Sequence, residues 1–229
     1  TNIPESEIGL HCGHQGLQNP SGADAACRVF RNNISAGQAN SAGAVGLSCV
    51  GSCGTKGAAC LGSCGEILEN TISATIGKTL LHLAITDSSP FVSRNRIGWA
   101  ATGSIVGCPT STVVGVNLDG SGSTLVNNII SGGPCQLAAG INQTNDVRSG
   151  DGSIAAPTVH FNTVVASGAG ASPPGAISIA AQFSSTAPVP ATVTPKGTWR
   201  NNILIAGPVS GAGSAEVVSV FDADTALSR

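Results

Sequence analysis

Apolar and polar residues in this chain alternate in short runs, and the runs are organised around a recurring asparagine. The motif Asn-x-Ile/Val stands at Asn32-Asn33-Ile34, Asn70-Thr71-Ile72, Asn95-Arg96-Ile97, Asn127-Asn128-Ile129, Asn162-Thr163-Val164 and Asn201-Asn202-Ile203. The interval varies from 25 residues, between Asn70 and Asn95, to 39, between Asn162 and Asn201. Helical repeats of fixed length do not tolerate such variation, whereas coils with constant strands and variable loops do. Each copy reads as a strand of period two. Two residues before the asparagine stand Phe30, Leu68, Ser93, Leu125, His160 and Trp199; two after it stand Ile34, Ile72, Ile97, Ile129, Val164 and Ile203. With these positions turned inward, the asparagines turn inward too.

A buried, unpaired amide costs on the order of a few kcal/mol. Stacked at the roughly 4.8 Å spacing of neighbouring strands, each amide can instead bond the next. Asn32, Asn70, Asn95, Asn127, Asn162 and Asn201 are therefore expected to form a ladder that fixes the register of successive coils. Just before them, Arg31, Glu69, Arg94, Val126, Phe161 and Arg200 face outward, and the first three alternate in sign as cross-strand pairs should. A second strand column follows each copy: Val45-x-Leu47, Leu81-x-Leu83-x-Ile85, Val114-x-Val116-x-Leu118, Leu137-x-Ala139-x-Ile141, Ile177-x-Ile179 and Val218-x-Val220, with Ile8-x-Leu10 upstream. The chain enters and leaves on the same column after about six turns.

This two-column pattern resembles the right-handed parallel β-helix, the pectin-lyase-like superfamily with its short Asn-x-Ile repeats. The resemblance runs from about residue 8 to the end of the sequence. It implies an all-β fold: a right-handed parallel β-helix solenoid of about six coils with an inward asparagine ladder. A single domain is expected over residues 1–229, with a Cys-rich insertion at about 49–65. The superfamily includes lyases, hydrolases, adhesins and inert fibres, so the fold by itself selects no activity.

At 229 residues the chain can build one sizeable core. Ten basic against twelve acidic residues give a net charge of −2, which provides no footprint for nucleic acid. Residues 97–118 and 161–195 carry no charge, but Gly, Pro, Ser and Thr interrupt both, so no membrane span is expected. The absence of an initiator Met or a signal pattern at Thr1 suggests a mature or excised segment.

Eight cysteines, Cys12, Cys27, Cys49, Cys53, Cys60, Cys64, Cys108 and Cys135, fit an oxidising setting at the cell surface or outside the cell. The spacing of Cys49, Cys53, Cys60 and Cys64 departs from the two-residue zinc knuckle, which favours disulfides over a metal site. Stacking suggests that Cys12 bridges Cys49 and Cys108 bridges Cys135, each stapling neighbouring coils.

The chemistry of the polysaccharide-degrading relatives is not matched. Lys56, Lys78 and Lys196 share no column, and neither an Asp-Asp pair nor Gly-His-Gly occurs. Asp87, Asp119, Asp146 and Asp222 follow the second column and read as turn caps; calcium at Asp222 and Asp224 is the functional alternative. Glu216 with Asp222 is the only local carboxylate pair available for glycoside hydrolysis. His82 is expected to alternate outward and His160 inward, while His11 and His14 flank Cys12 in a loop. Trp99 beside Arg96 is the best exposed candidate for stacking on a sugar, with core packing the favoured alternative. Two sequons, Asn33-Ile34-Ser35 and Asn142-Gln143-Thr144, are glycan acceptors in a eukaryotic secretory route.

No catalytic, binding or metal-ligating residue is assigned, and no cofactor is called for. The expected role is structural: an extracellular or cell-surface β-helix, with self-association end to end into a filament or surface layer. The alternative is a carbohydrate-binding adhesin or a polysaccharide lyase or hydrolase using an uncovered sheet face.

Overall fold

A computed structural model describes residues 6–13, 27–36, 54–61, 64–74, 79–98, 112–135, 137–145, 156–168, 177–185, 197–207 and 214–222. Regular structure among them is entirely β. In chain order the strands are β1 (Ser6–Gly13), β2 (Cys27–Phe30), β3 (Asn33–Ala36), β4 (Gly54–Leu61), β5 (Cys64–Leu68), β6 (Thr71–Ala74), β7 (Thr79–Thr86), β8 (Phe91–Ser93), β9 (Arg96–Ile97), β10 (Thr112–Asp119), β11 (Thr124–Val126), β12 (Ile129–Cys135), β13 (Leu137–Asn145), β14 (Thr158–His160), β15 (Thr163–Gly168), β16 (Ile177–Ser185), β17 (Thr198–Arg200), β18 (Ile203–Ala206) and β19 (Ser214–Asp222). Among these residues no helix is long and apolar enough to cross a membrane.

The strands form three sheets, ordered β1-β4-β7-β10-β13-β16-β19, β2-β5-β8-β11-β14-β17 and β3-β6-β9-β12-β15-β18. Every pairing is parallel. The chain thus visits the three sheets in strict rotation, the arrangement of a parallel β-solenoid. Among the described residues none of the sheets closes on itself, and each ends in a strand paired on one side.

A sharp corner between the second and third sheets decides which side chains enter the core. Arg31, Glu69, Arg94, Asn127, Phe161 and Asn201 all adopt φ between 53° and 56°, the left-handed region. Such a residue breaks the period-two alternation, because the strand changes direction there. Buried positions consequently fall three residues before the following asparagine and two after it. Before it stand Val29, Ile67, Val92, Leu125 and Val159, with Trp199 half-buried; after it stand Ile34, Ile72, Ile97, Ile130 and Val164, with Leu204 half-buried.

This corrects the expected inward column. Phe30 is exposed, Leu68 and His160 are half-buried, and Ile129 and Ile203 are 42% and 58% exposed. The expected outward residues Val126 and Arg200 are likewise replaced at the corner by Asn127 and Asn201.

The second column lies on the first sheet. Leu83, Ile85, Val116, Leu118 and Ile141 join the residues above in one core cluster. Val45 and Leu47 fall outside the described residues. The strand beside β1 is β4, inside the segment expected to be an insertion, and β5 begins within that segment too. Gly54, Gly57, Ala58 and Ala59 disguise β4, since small residues carry little strand signal.

The third sheet packs closely on the first. A Cβ on Gly132 of β12 would stand 2.1 Å from the Ala139 carbonyl oxygen of β13. Only glycine admits so near an approach of two backbones.

Candidate functional site

The most ordered polar feature is a chain of asparagines running along the corner between the second and third sheets. It comprises Asn32, Asn70, Asn95, Asn128, Asn162 and Asn202. The backbone N–H of each donates to the carboxamide oxygen of the next: Asn32 to Asn70 at 2.8 Å, Asn70 to Asn95 at 2.8 Å, Asn95 to Asn128, Asn128 to Asn162 and Asn162 to Asn202 at 2.9 Å. The Nδ2 groups of the first five donate to the same oxygens at 2.9–3.3 Å. Each Nδ2 from Asn70 onward also reaches a carbonyl of the preceding coil, as Asn128 reaches Val92 at 2.9 Å. Asn70, Asn95, Asn128 and Asn162 are buried, and every polar atom of their side chains is bonded, which removes the cost of burial.

Asn127 and Asn201 do not belong to this chain, although the motif suggested them. Both are exposed and hold the left-handed corner, a conformation that asparagine tolerates better than most residues. Asn128 and Asn202 take the ladder positions. The signal that finds them is the frame: counted from the corner residue, Ile130 and Leu204 align with Ile34, Ile72, Ile97 and Val164.

On the outer surface of the early strands lies a charged and aromatic patch. Arg28 Nε donates to Glu66 at 2.6 Å, and Arg31 Nε to Glu69 at 2.7 Å. Arg94 approaches the other oxygen of Glu69 at 3.4 Å. The Arg31 hydrogen bond holds the Glu69 carboxyl below the usual carboxylate range. The Arg31 guanidinium also covers the Phe30 ring at 4.5 Å. Phe91 is exposed and stands opposite Glu66 in the register. Beside β2 a groove of about 440 Å³ is lined by Arg28, Val29, Phe30, Glu66 and Leu68.

His82, expected outward, is fully buried. One position before the registered Leu83, Val116 and Ile141 stand His82, Gly115 and Gly140, where the third sheet presses on the first. The Ala74 N–H donates to His82 Nδ1 at 2.8 Å, which leaves the proton of the neutral ring on Nε2. Burial lowers the His82 pKa to about 4.

Two cysteine pairs stand in register, one near the end of the first sheet's strands and one at the start of the second's. Cys12 lies opposite Cys60 and Cys27 opposite Cys64, and a disulfide joins Cys60 to Cys64. The residue registered with Cys12 is therefore Cys60 and not Cys49, because β4 occupies the place beside β1. Cys49, Cys53 and Cys108 lie outside the described residues; Cys135 ends β12 opposite Gly168. In the next coil Ser88 Oγ accepts from the Cys64 N–H at 3.2 Å and lies 3.4 Å from Cys60 Sγ.

Among the described residues the remaining candidates do not converge. Asp87 occupies a turn with φ of 50°, its N–H bonded to the Asp119 carbonyl at 2.8 Å. Glu216 and Asp222 share the extended strand β19. Six residues apart, they stand about 20 Å from each other, at roughly 3.3 Å per residue, beyond the separation that paired-carboxylate hydrolysis needs. Lys56 lies on β4 and His11 on β1, while Asp146, Asp224, Lys78, Lys196, Trp99 and His14 fall outside the described residues. Among the described residues no three His, Cys, Asp or Glu side chains gather as metal ligands would. Asn33 is exposed, whereas Asn142 donates its Nδ2, the atom a glycan would occupy, to Asn117 at 2.8 Å.

Comparison with protein-family models, curated proteins and solved structures found no match.

Proposed function

We propose that the chain is a structural protein of the cell surface or extracellular space. In this reading it is a right-handed parallel β-helix of the pectin-lyase-like kind, with about six coils that associate end to end. The observation that carries the reading is the asparagine chain from Asn32 to Asn202, which bonds each coil to the next and is buried from Asn70 to Asn162. Right-handedness follows the strong preference of parallel crossover connections. The Cys60–Cys64 disulfide supports an oxidising compartment.

The charged side chains described above also favour structure over turnover. Glu66 and Glu69 are occupied by arginines of neighbouring coils. Six coils at about 4.8 Å each are only about 29 Å tall, so a single copy is not a rod. Electron microscopy of the full chain tests the reading: assemblies that lengthen along one axis are expected, and particles that stay dispersed at every concentration overturn it.

A second reading, carbohydrate binding without turnover, is favoured by one observation. Exposed Phe30 and Phe91 flank the Arg28–Glu66 pair, which places rings beside hydrogen-bonding groups on one face. Binding to a panel of immobilised glycans that is lost on Phe91→Ala would establish it. Release of unsaturated sugar ends from uronic-acid polymers would instead establish a lyase.

A further inference from the structure

We infer that Cys12 and Cys27 are joined in a disulfide that repeats Cys60–Cys64 one coil earlier. β1 and β4 pair in parallel without a shift from Leu10 to Gly13, which sets Cys12 opposite Cys60. β2 and β5 also pair in parallel, with Cys27 opposite Cys64; the one shift in that pairing comes after Cys27. The step from Cys12 to Cys27 is therefore the step from Cys60 to Cys64, moved by one strand spacing. Cys60 and Cys64 are bonded, with 6.0 Å between their Cα atoms. Strands in parallel register repeat their backbone geometry from coil to coil, so Cys12 and Cys27 stand at about 6 Å too, within the span of a disulfide.

Rival partners are few. Cys60 and Cys64 are engaged with each other, and among the described residues no cysteine is free. Cys53 directly precedes Gly54, which opens β4 six residues before Cys60. At roughly 3.3 Å per residue that is about 20 Å along the strand, too far for Cys53 to meet Cys12. Cys135 ends β12, three strands along the third sheet from β3, or roughly 14 Å up the stack.

The two bonds take the place of core side chains. In the column through Cys12 and Cys60 the following coils carry Ile85, Leu118, Gln143 and Phe183, all buried. Each bond closes within its own coil and ties the end of a first-sheet strand to the start of a second-sheet strand. Three residues separate Cys60 from Cys64 and fourteen separate Cys12 from Cys27, so the same corner is held whatever the length of the connection. Covalent corners thus replace apolar packing in the first described coils, at the end of the stack where neighbours are fewest. Closure takes one hydrogen from each thiol. The two electrons and two protons pass to a small-molecule or protein disulfide, which is reduced to two thiols.

The test is a disulfide map of the full chain, alkylated without reduction and cleaved with trypsin. Cys12 and Cys27 share the peptide that ends at Arg28, Cys49 and Cys53 share 32–56, and Cys60 and Cys64 share 57–78. The peptide ending at Arg28 is expected unlinked, unalkylated and lighter by two hydrogens than its reduced form. Linkage of this peptide to any other, or alkylation of Cys12 or Cys27, overturns the inference. Cys12→Ser and Cys27→Ser, made separately, are each expected to expose one thiol, at Cys27 and at Cys12 respectively. A thiol that appears at another cysteine instead overturns it as well, whether or not the variant folds. With both substitutions together, amide exchange in β1, β2 and β3 is expected to quicken by at least about tenfold while β10 to β18 keep their protection. Uniform acceleration, or none, denies the bond its place in holding the end of the stack.

Discussion

Asn127 and Asn128 are neighbours in the chain with opposite tasks: Asn127 is exposed with φ of 55°, and Asn128 is buried, bonded to both Asn95 and Asn162. The same residue type serves once for its tolerance of a left-handed backbone and once for its two-sided amide. Substitutions should separate the two roles. Asn128→Ala strips the carboxamide from Asn95, Val92 and Asn162 together and leaves buried donors and acceptors unpaired. A loss of about 2–4 kcal/mol is expected in chemical denaturation. Asn127→Gly is expected to stay within about 0.5 kcal/mol, because glycine also adopts the corner conformation.

His82 makes stability depend on pH. Its pKa falls to about 4 in the folded chain from 6.5, so between these values the unfolded chain binds the extra proton. Stability is then complete above about pH 6.5 and declines as the pH drops towards 4, by on the order of 3 kcal/mol in total. Denaturant midpoints measured between pH 7 and 4 should show this slope. His82→Leu should flatten it while lowering stability at pH 7, since the Ala74 N–H loses its acceptor.

Glu69 offers a surface counterpart of opposite charge. Its carboxyl is held low first by the Arg31 hydrogen bond and then by the charges of Arg31 and Arg94. The resulting stabilisation is present above the ordinary carboxylate pKa and disappears as the pH falls through the lowered one. Carboxyl resonances followed by NMR should show the Glu69 pKa rising in Arg31→Ala, and rising less in Arg94→Ala.

Gly132 marks where two backbones meet. Gly132→Ala drives a methyl group to within 2.1 Å of the Ala139 carbonyl oxygen, so β12 and β13 must separate. A cost of about 3 kcal/mol or more is expected, read as a lowered denaturation midpoint. Alanine at Gly120, whose φ is 56°, is expected to cost about 1 kcal/mol from backbone strain.

Much of the architecture was legible in the sequence because it repeats. Leu81-x-Leu83-x-Ile85, Val114-x-Val116-x-Leu118 and Leu137-x-Ala139-x-Ile141 all fall on registered strands of one parallel sheet. Asn32, Asn70, Asn95 and Asn162 were found from their spacing to a β-branched residue. The frame slipped at Asn127 and Asn201, where doubled asparagines offered two alignments and only the left-handed corner chooses between them. Period-two counting cannot see such a corner, and for that reason Phe30 and Ile129 were placed inside. The strand β4 was hidden by its glycines and alanines, which displaced Cys12 from its true neighbour Cys60. Burial of His82 was invisible for a different reason: the first sheet is covered on both sides at its early residues, and alternation then carries no information about facing.

Pitch in this chain is stored in the bonds between coils, backbone and side chain together, and not in the lengths of its connections. Consecutive bonded asparagines lie as few as 25 and as many as 40 residues apart, yet every junction between them measures 2.8–2.9 Å. Each connection is thereby released from any duty of measurement. Sequence spliced into one of them is expected to leave the neighbouring coils in register.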